Sequence, residues 1–469
     1  MAKFPRFLTL PIAAVLIVGA CSSGGSQAPS TSSGAGSSTG AGSSTATGSE
    51  SAGSSTGTGS SAAAGGSAVT GATITVTSLW GGSEQDAFQK VLDEFKAKTG
   101  NTATYQAQRT DYATVLQSKI TSGSPPDVAI MPGLGFLRQF ARSGGIKKIS
   151  DLGIDPASLE ANYPPGILDP GKVDGDLYGI MVKFNSKSTF WYRPDKLSAA
   201  GAQPPKSFDD LKNLITTLKS KGDNTPLALG AKDSWTLTDW FEEIYLRQNG
   251  ADAYNKLFSK DGNWTDPSVS KALDAMKSVL TNDNVPGGVT GALGVAFTDG
   301  IAQVFGTNPK ADLYYEGGFV GGIATGQVNK SLEIGKTIDW FDFPTFGGPG
   351  DTAAEIGGDE IAALTTNPGV KEFIQFMTSA DSGSTWAKTG AIISPVKAVD
   401  ASNYPNDLAK KEAAQVAGAS AVVYDGSDTL PAGAPDMGAM LQDVIQGKDA
   451  TSLLSTFNTG VQSAWANEK

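Results

Sequence analysis

The chain has 469 residues, of which 39% are hydrophobic and 18% charged, and its formal net charge is −11. The acidic excess argues against nucleic acid as a partner, because nucleic acid is itself a polyanion. With no histidine and one cysteine, the chain excludes Ser-His-Asp and Cys-His catalytic systems, histidine-based zinc sites and disulfides within itself.

The first 21 residues have the features of an export signal that ends in a lipid-attachment site. Two early cations precede an apolar run at 7–18, and two small residues then precede Cys21. The segment resembles a bacterial lipoprotein signal, in which the cysteine is acylated. A membrane-spanning anchor would need about 20 apolar residues. We therefore predict a signal peptide at 1–21 and lipidation at Cys21, which would anchor the protein to the outer face of the cytoplasmic membrane.

Residues 22–71 are almost entirely Ser, Gly, Ala and Thr, with Glu50 as the sole charge. Such a segment cannot bury enough apolar surface to offset its ordering entropy, so we predict a disordered tether. Its r.m.s. span would be roughly 40 Å for a Gly/Ser-rich coil. The rest of the chain is longer than the roughly 250–300 residues that one core supports, which predicts at least two lobes.

Alternating strands and helices are predicted after the tether. Apolar and polar alternation or short apolar runs indicate strands at 72–79, 103–108 and 127–131, and helical spacing indicates helices at 84–99, 112–121 and 134–142. This order is typical of an α/β fold with a mainly parallel sheet covered on both faces. Ligands of such sheets lie beyond the carboxyl ends of the strands. The loop Trp80–Glu84 follows the first strand and takes that position.

Two strands are predicted at 177–184 and 189–192, on either side of Asn185-Ser186-Lys187. Further helices are predicted at 207–219, 240–248, 269–280, 370–379 and 437–446. The first of these begins with the capping sequence Ser207-Phe208-Asp209-Asp210.

Five segments from residue 73 onwards stand in an order typical of one family. They are ITVTSLWGGSEQDAFQKVLDEFKAKTG, SPPDVAIMP, DLYGIMVKFNSKSTFWYRPDKLSAAG, FTDGIAQVFG and GGDEIAALTTNPGVKEFIQFMTS. The run from Pro204 to Leu211 also matches the helix that usually follows the third of these segments. In these segments the chain resembles the extracellular solute-binding proteins of ABC importers, within the carbohydrate-binding family that includes maltose-binding proteins.

The resemblance implies two α/β lobes with three hinge crossings and a ligand cleft between them, the periplasmic-binding-protein-like fold. The N-terminal lobe would combine 72–183 with 342–394, and the C-terminal lobe 184–341 with 395–469. Crossings would fall near 181–183, 341–343 and 394–396. It also implies a monomer that captures a sugar by hinge closure, without a metal or organic cofactor, and delivers it unchanged to a membrane permease.

Sugars present apolar C–H faces and many hydroxyls, so their sites combine flat aromatic surfaces with fixed polar groups. The candidate aromatic platforms are Trp80, Trp235, Tyr315 and Phe319. The candidate polar contacts are Ser83, Glu84, Arg109, Asp111, Lys183, Glu316, Asp359, Ser427 and Asp428.

By resemblance, Glu84 occupies the position of a hydroxyl-binding carboxylate, and Trp235 lies in the segment that often carries a stacking aromatic. Alternatively, Ser83 and Glu84 cap a helix and Trp80 belongs to the core. Phe319 stands where the family commonly has a tryptophan after a glycine, although the stretch 315–319 could equally be a surface turn. Charged candidates such as Arg109 could bind hydroxyls or form salt bridges between lobes.

The segment GSDTLPAG at 426–433 resembles α-glucoside-type members of the family, with Ser427 and Asp428 closing over the sugar. An Asx turn before Pro431 is the alternative. Two other functions stay open. A tethered glycoside hydrolase would use Glu242/Glu316 or Asp359/Asp428 as its acid and base, and a surface carbohydrate-adhesion module would bind without closing. A peptide or polyol ligand also stays open.

Overall fold

The computed structural model describes residues 69–222 and 225–468. The predicted signal, Cys21 and the predicted tether as far as residue 68 lie outside the described residues. The strands are β1 Thr73–Ser78, β2 Thr102–Ala107, β3 Val128–Met131, β4 Lys172–Val173, β5 Asp176–Leu177, β6 Gly179–Ser186, β7 Thr189–Tyr192, β8 Leu227–Ala228, β9 Leu313–Tyr315, β10 Asp339–Asp342, β11 Ala354–Ala363 and β12 Val422–Tyr424.

The helices of the first half are α1 Ser83–Thr99, α2 Tyr112–Thr121, α3 Leu134–Arg142, α4 Pro156–Glu160, α5 Pro194–Ala200, α6 Phe208–Ser220 and α7 Trp235–Asn249. Those that follow are α8 Ala251–Leu257, α9 Pro267–Val279, α10 Gly288–Ala292, α11 Phe297–Phe305, α12 Val320–Ile323, α13 Val370–Met377, α14 Ala380–Ala387, α15 Asp407–Gly418, α16 Gly426–Thr429, α17 Met437–Ile445 and α18 Ala450–Asn467. A π-helical turn, Ala324–Val328, extends α12. Among the described residues, no helix combines the length and the apolar character needed to cross a bilayer.

One lobe is organised around a six-stranded sheet. Its order is β12-β11-β3-β1-β2, and β6 also pairs with β11. β1 is parallel to β2 and β3, in the register that sets Val76 opposite both Tyr105 and Val128. The expected parallel pairing is therefore correct for the first three strands. The sheet is mixed because β11 runs antiparallel to β3 and β6.

The other lobe is organised around a four-stranded sheet of order β10-β7-β9-β8. Each sheet has its own apolar core. Ile74, Phe88 and Ile361 lie in the core of the first lobe, whereas Phe190 and Trp240 lie in that of the second. The predicted two-lobed α/β architecture is confirmed.

Most predicted elements are found with small shifts at their ends. α2 and α3 have the predicted bounds, and β6 begins two residues later than predicted. The largest difference is α7, which begins at Trp235 rather than at residue 240. This helix is buried on all sides from Thr236 to Arg247, so it lacks the polar face that would have marked its start.

Candidate ligand-binding site

Lys183 on β6 brings together the predicted polar residues of the first lobe. Its ammonium lies 3.0 Å from Asp359 Oδ2 and 3.7 Å from Glu84 Oε1. It also lies 4.9 Å from the centre of the Trp80 ring. Burial opposes the charge, but the carboxylates of Asp359 and Glu84 outweigh it and raise the pKa of Lys183. We call these four residues the Lys183 cluster.

The loop between β1 and α1 forms one edge of this cluster. Glu84, in the first turn of α1, keeps about a quarter of its side chain exposed (24%), and burial is the main cause that raises its pKa. Arg109 lies against the loop, since a Cβ on Gly81 would be 2.9 Å from Arg109 Cδ. Asp111 is exposed at the start of α2 with a φ of 50°. It takes part in none of the ion pairs of the described ranges.

A second ammonium, Lys187, lies just beyond the end of β6. Its Nζ is 2.7 Å from Asp239 Oδ2 and 3.4 Å from Asp425 Oδ2. The same atom lies 4.9 Å from the centre of the Trp235 ring and 5.7 Å from that of Phe319. These five residues form the Lys187 cluster.

Sequence reasoning missed Lys187, Asp239 and Asp425. The signal that could have found Lys187 is its period-2 relation to Lys183, because residues 183, 185 and 187 point to the same side of an extended chain. Nothing local marks Asp239, which is 52 residues from Lys187 in sequence and lies inside a fully buried helix.

The aromatic residues of the Lys187 cluster form a small group with Phe297. The Trp235 ring centre lies 5.2 Å from that of Phe297 and 6.0 Å from that of Phe319. Trp235 and Phe319 are both half-buried, so part of each ring is accessible. Such accessible rings beside charged groups are the combination that sugar sites require.

Ser427 and Asp428 lie next to this cluster. The Ser427 hydroxyl donates to Asp425 Oδ1 at 2.8 Å, and the Ser427 N–H donates to Glu242 Oε1 at 3.1 Å. Burial, followed by the charge of Asp425, raises the pKa of Asp428 well above its ordinary value, and Asp359 of the Lys183 cluster acts on it in the same direction. Charges of both clusters therefore act on Asp428.

A cavity of about 230 Å³ lies between the lobes. Trp235, Ser427 and Asp428 line one wall, and Gly133 and Phe136 of the first lobe line the other. A second cavity of about 180 Å³ continues from Asp428 towards Tyr112 and Leu79. Predicted contacts of the second lobe thus face the first lobe across the cleft.

Three predicted residues are buried in the lobe cores. Trp80 is 1% exposed and its ring centre lies 5.1 Å from those of Phe88 and Trp386. Tyr315 is 0% exposed, and its hydroxyl donates to the carbonyl of Asp239 at 3.1 Å. Glu316 is 1% exposed, and burial followed by the charge of Asp239 raises its pKa well above the usual value. In this structure, Trp80 and Tyr315 therefore offer no open ring face.

The lobes contact each other at the edge of the cleft. Gln327, in the π-helical turn of the second lobe, donates from Nε2 to Ser83 Oγ of the first lobe at 2.6 Å. A Cβ on Gly82 would lie 2.5 Å from Gln327 Oε1. A Cβ at residue 82 would therefore require the end of the Gln327 side chain to move, and the φ of 61° favours glycine there.

The pair Glu242/Glu316, considered above for hydrolysis, is sealed from solvent. Glu242 is 0% exposed and accepts hydrogen bonds from the Tyr254 hydroxyl at 2.6 Å and from the Gly426 N–H at 2.6 Å. Its carboxyl group holds the segment that leads to Ser427. A glycosidic oxygen has no access to either member of this pair in the structure.

Residues 81–384, about two-thirds of the chain, match the sequence profile of a family described as bacterial extracellular solute-binding protein. The chain belongs to this family. The resemblance inferred from the five sequence segments is thus confirmed.

Among relatives of this solute-binding protein are the osmoprotective compounds-binding protein GgtB of Synechocystis sp., 28% identical over 400 residues (84% of this chain, 92% of the relative), and the alpha-glucosides-binding periplasmic protein AglE of Rhizobium meliloti, 27% identical over 413 residues (85% and 88%). The solved structure of a chitin oligosaccharide binding protein is similar, with a TM-score of 0.71 at 19% identity, over 86% of this chain and 100% of that one. Its likeness supports the two-lobed fold.

Proposed function

We propose that this solute-binding protein captures an uncharged sugar, an α-glucoside or an oligosaccharide, between its lobes and delivers it unchanged to the permease of an ABC importer. The observation that carries the proposal is the cavity between the lobes, where Trp235, Ser427 and Asp428 lie beside the Lys187 cluster and face Gly133 and Phe136. Family membership supports the capture of a solute, and the name of AglE, an alpha-glucosides-binding protein, favours a glucoside among solutes.

The ligand's hydroxyls would bind to groups from both lobes. Glu84 and Lys183 would contact it from the first lobe, and Lys187 and Asp428 from the second, with Trp235 as the stacking ring. Each ammonium already has two carboxylate partners and keeps a third N–H for a hydroxyl oxygen. An anionic sugar would meet surplus carboxylates, so neutral ligands are favoured.

We propose 72–183 plus 342–394 for the first lobe and 184–341 plus 395–469 for the second, with the three crossings near 181–183, 341–343 and 394–396. Support comes from the apolar clusters, since the core around the large sheet includes Val182 whereas that around the small sheet begins at Phe190. Some residues near the crossings depart from these bounds, since Phe343 and Ala353 lie in the core of the small sheet and Val396 in that of the large sheet. β12 also departs from them, because it pairs with β11 at the edge of the large sheet.

We also propose that Cys21 carries a lipid and that the tether places the binding lobes outside the cytoplasmic membrane. The support is the sequence pattern described above together with the extracellular character of the family. Replacement of Cys21 by serine should release the protein from the membrane fraction. A Cys21→Ser protein that stays with the membrane would contradict the anchor.

The test of ligand capture is a thermal-shift screen of the protein without residues 1–21. Neutral α-glucosides and oligosaccharides should raise its melting temperature, because a ligand at about 100 times its Kd stabilises the folded state by roughly 2.7 kcal/mol. A glucuronide serves as the charged control and should give no shift. Chromatography of the recovered sugar tests for hydrolysis. A panel without any shift, or cleaved sugar, would overturn the proposal.

A further inference from the structure

Arg138 on α3 reaches from the first lobe to the second. Its guanidinium donates from Nη2 to the carbonyl of Thr429 at 2.8 Å and from Nε to the carboxylate of Glu468. It also lies 5.3 Å from the centre of the Trp465 ring. One side chain thus holds a backbone carbonyl, a carboxylate and an aromatic face of the other lobe.

The partners of Arg138 are anchored in the second lobe. Thr429 ends α16, whose first N–H groups bind the buried Glu242 of α7. Trp465 and Glu468 lie at the end of α18, whose Val461 belongs to the core of the small sheet. Leu137 and Phe140 instead fix α3 in a core of the large sheet. The contact therefore joins two separately packed bodies.

The backbones around Arg138 come unusually close. A Cβ on Gly135 would lie 2.0 Å from the carbonyl oxygen of Leu430, a distance that real Cβ atoms do not reach. Arg138 and Glu468 keep only 17% and 12% of their side chains exposed. Since the pair is largely desolvated, it is less screened by water and salt than a surface ion pair.

We propose that Arg138 is a latch between the lobes, a positioning residue that holds the closed cleft without contacting the ligand. Arg138 is absent from the lining of the cavity between the lobes, although its neighbours Gly135 and Phe136 belong to that lining. Its bond to Thr429 fixes the segment that carries Ser427 and Asp428. The part of this inference that concerns affinity rests on the proposed function, whereas the part that concerns closure does not.

A residue that acts only in the closed state has a distinct kinetic signature. Opening separates Arg138 from all three of its partners, so the loss of the side chain should speed ligand release and leave association nearly unchanged. We expect Arg138→Ala to raise the dissociation rate about tenfold or more, which corresponds to the loss of a hydrogen bond to a charged group. Arg138→Lys keeps a positive charge near Glu468 but loses the planar guanidinium that also donates to the carbonyl of Thr429. This variant should therefore have an intermediate dissociation rate.

Closure itself is measured without any sugar. In the protein without residues 1–21 no native cysteine is left, so spin labels can be placed at Asp93→Cys and Lys330→Cys, two exposed positions on opposite lobes. The distance distribution between the labels reports the open and closed populations. We expect Arg138→Ala to shift the ligand-free protein towards longer distances.

Arg193→Ala is the matched control, because Arg193 pairs with Asp195 within one lobe. It should change neither the distances nor the release rate. Unchanged distances in Arg138→Ala would overturn the latch, whether or not a sugar is known. If the distances shift but no sugar binds the wild-type protein, the latch stands and the proposed ligand class fails. Thermal unfolding of each variant shows that it is folded.

Discussion

Lys183 on β6 and Lys187, four residues later and just beyond the end of that strand, each place their ammonium between two carboxylates. Lys183 lies between Glu84 and Asp359, and Lys187 between Asp239 and Asp425. Because β6 pairs with β11 along its length and Lys187 follows directly after it, a single extended segment supplies both fixed cations. Such preorganised groups bind a ligand without further loss of side-chain freedom.

Lys187→Met tests the internal pairing of the second lobe. The substitution leaves Asp239 and Asp425 without their cation in a buried site, which should lower the free energy of unfolding by about 3–5 kcal/mol. Urea denaturation followed by fluorescence measures the change. Lys212→Met is the matched control, because the exposed pair of Lys212 with Asp209 should contribute less than about 1 kcal/mol. Equal small losses in both variants would contradict the buried pairing.

Trp235→Ala tests the stacking ring. The ring is half-buried at the cavity between the lobes, so its loss should weaken sugar binding about tenfold while the protein stays folded. Isothermal titration with the sugar from the thermal-shift screen measures the affinity. Trp264→Phe, at a ring buried among Phe241, Phe258 and Phe457, is the control and should leave the affinity unchanged. An unaltered affinity in Trp235→Ala would remove this residue from the site.

Glu360→Gln tests a buried acid of the first lobe. Glu360 is 0% exposed, and burial followed by the charge of Asp359 raises its pKa from 4.5 to about 8. The folded protein therefore keeps a proton that the unfolded chain releases above pH 4.5, and stability falls as the pH rises from about 5 to 8. The glutamine variant should lack this loss, which amounts to about 3–5 kcal/mol.

Melting temperatures at pH 5 and pH 9 check this expectation. The wild-type and Glu360→Gln proteins should melt at similar temperatures at pH 5, where the wild-type acid is neutral. At pH 9 the variant should be the more stable protein. Parallel melting curves of the two proteins across this range would show that Glu360 does not retain its proton on folding.

Local signals explain which parts of the fold were predictable. α2 and α3 have the predicted bounds because helical apolar spacing ends at Ser122-Gly123 and Ser143-Gly144, where the chain can leave the helix. α7 lacked such a signal at its start because it is buried all round. The spacing of apolar residues in a sequence shows that a helix has an apolar face, but it does not show which other elements cover its remaining faces.

The same limit applies to the site. Trp80 follows a strand, and a tryptophan at such a position can serve either as a ligand platform or as a core residue. In the structure it packs in the core against Phe88 and Trp386, and these contacts are not visible from the sequence. Lys187 and Asp239 meet because a strand end and a buried helix are brought together by the whole second lobe. Family resemblance pointed to the loops that we propose for the site, whereas the partners of each lysine became visible only in the tertiary fold.

Gly82→Ala tests closure at the edge of the cleft next to α1. Gly82 has a φ of 61°, and an added Cβ would lie 2.5 Å from Gln327 Oε1, so the variant both strains the backbone and must displace the Gln327 side chain when the lobes approach. We expect sugar affinity to fall more in Gly82→Ala than in Gln327→Ala. The latter removes only the exposed hydrogen bond to Ser83, which should change the affinity about twofold to fivefold.

A backbone control separates closure from strain. Gly447 also has a positive φ, 88°, but a Cβ there would meet nothing within 4 Å. Gly447→Ala should therefore lower stability and leave the affinity unchanged, because it strains the backbone far from any contact between the lobes. The double variant Gly82→Ala/Gln327→Ala removes the clash and keeps the strain, so it should regain part of the affinity. If it binds no better than Gly82→Ala alone, the strain at Gly82 rather than the clash with Gln327 weakens binding.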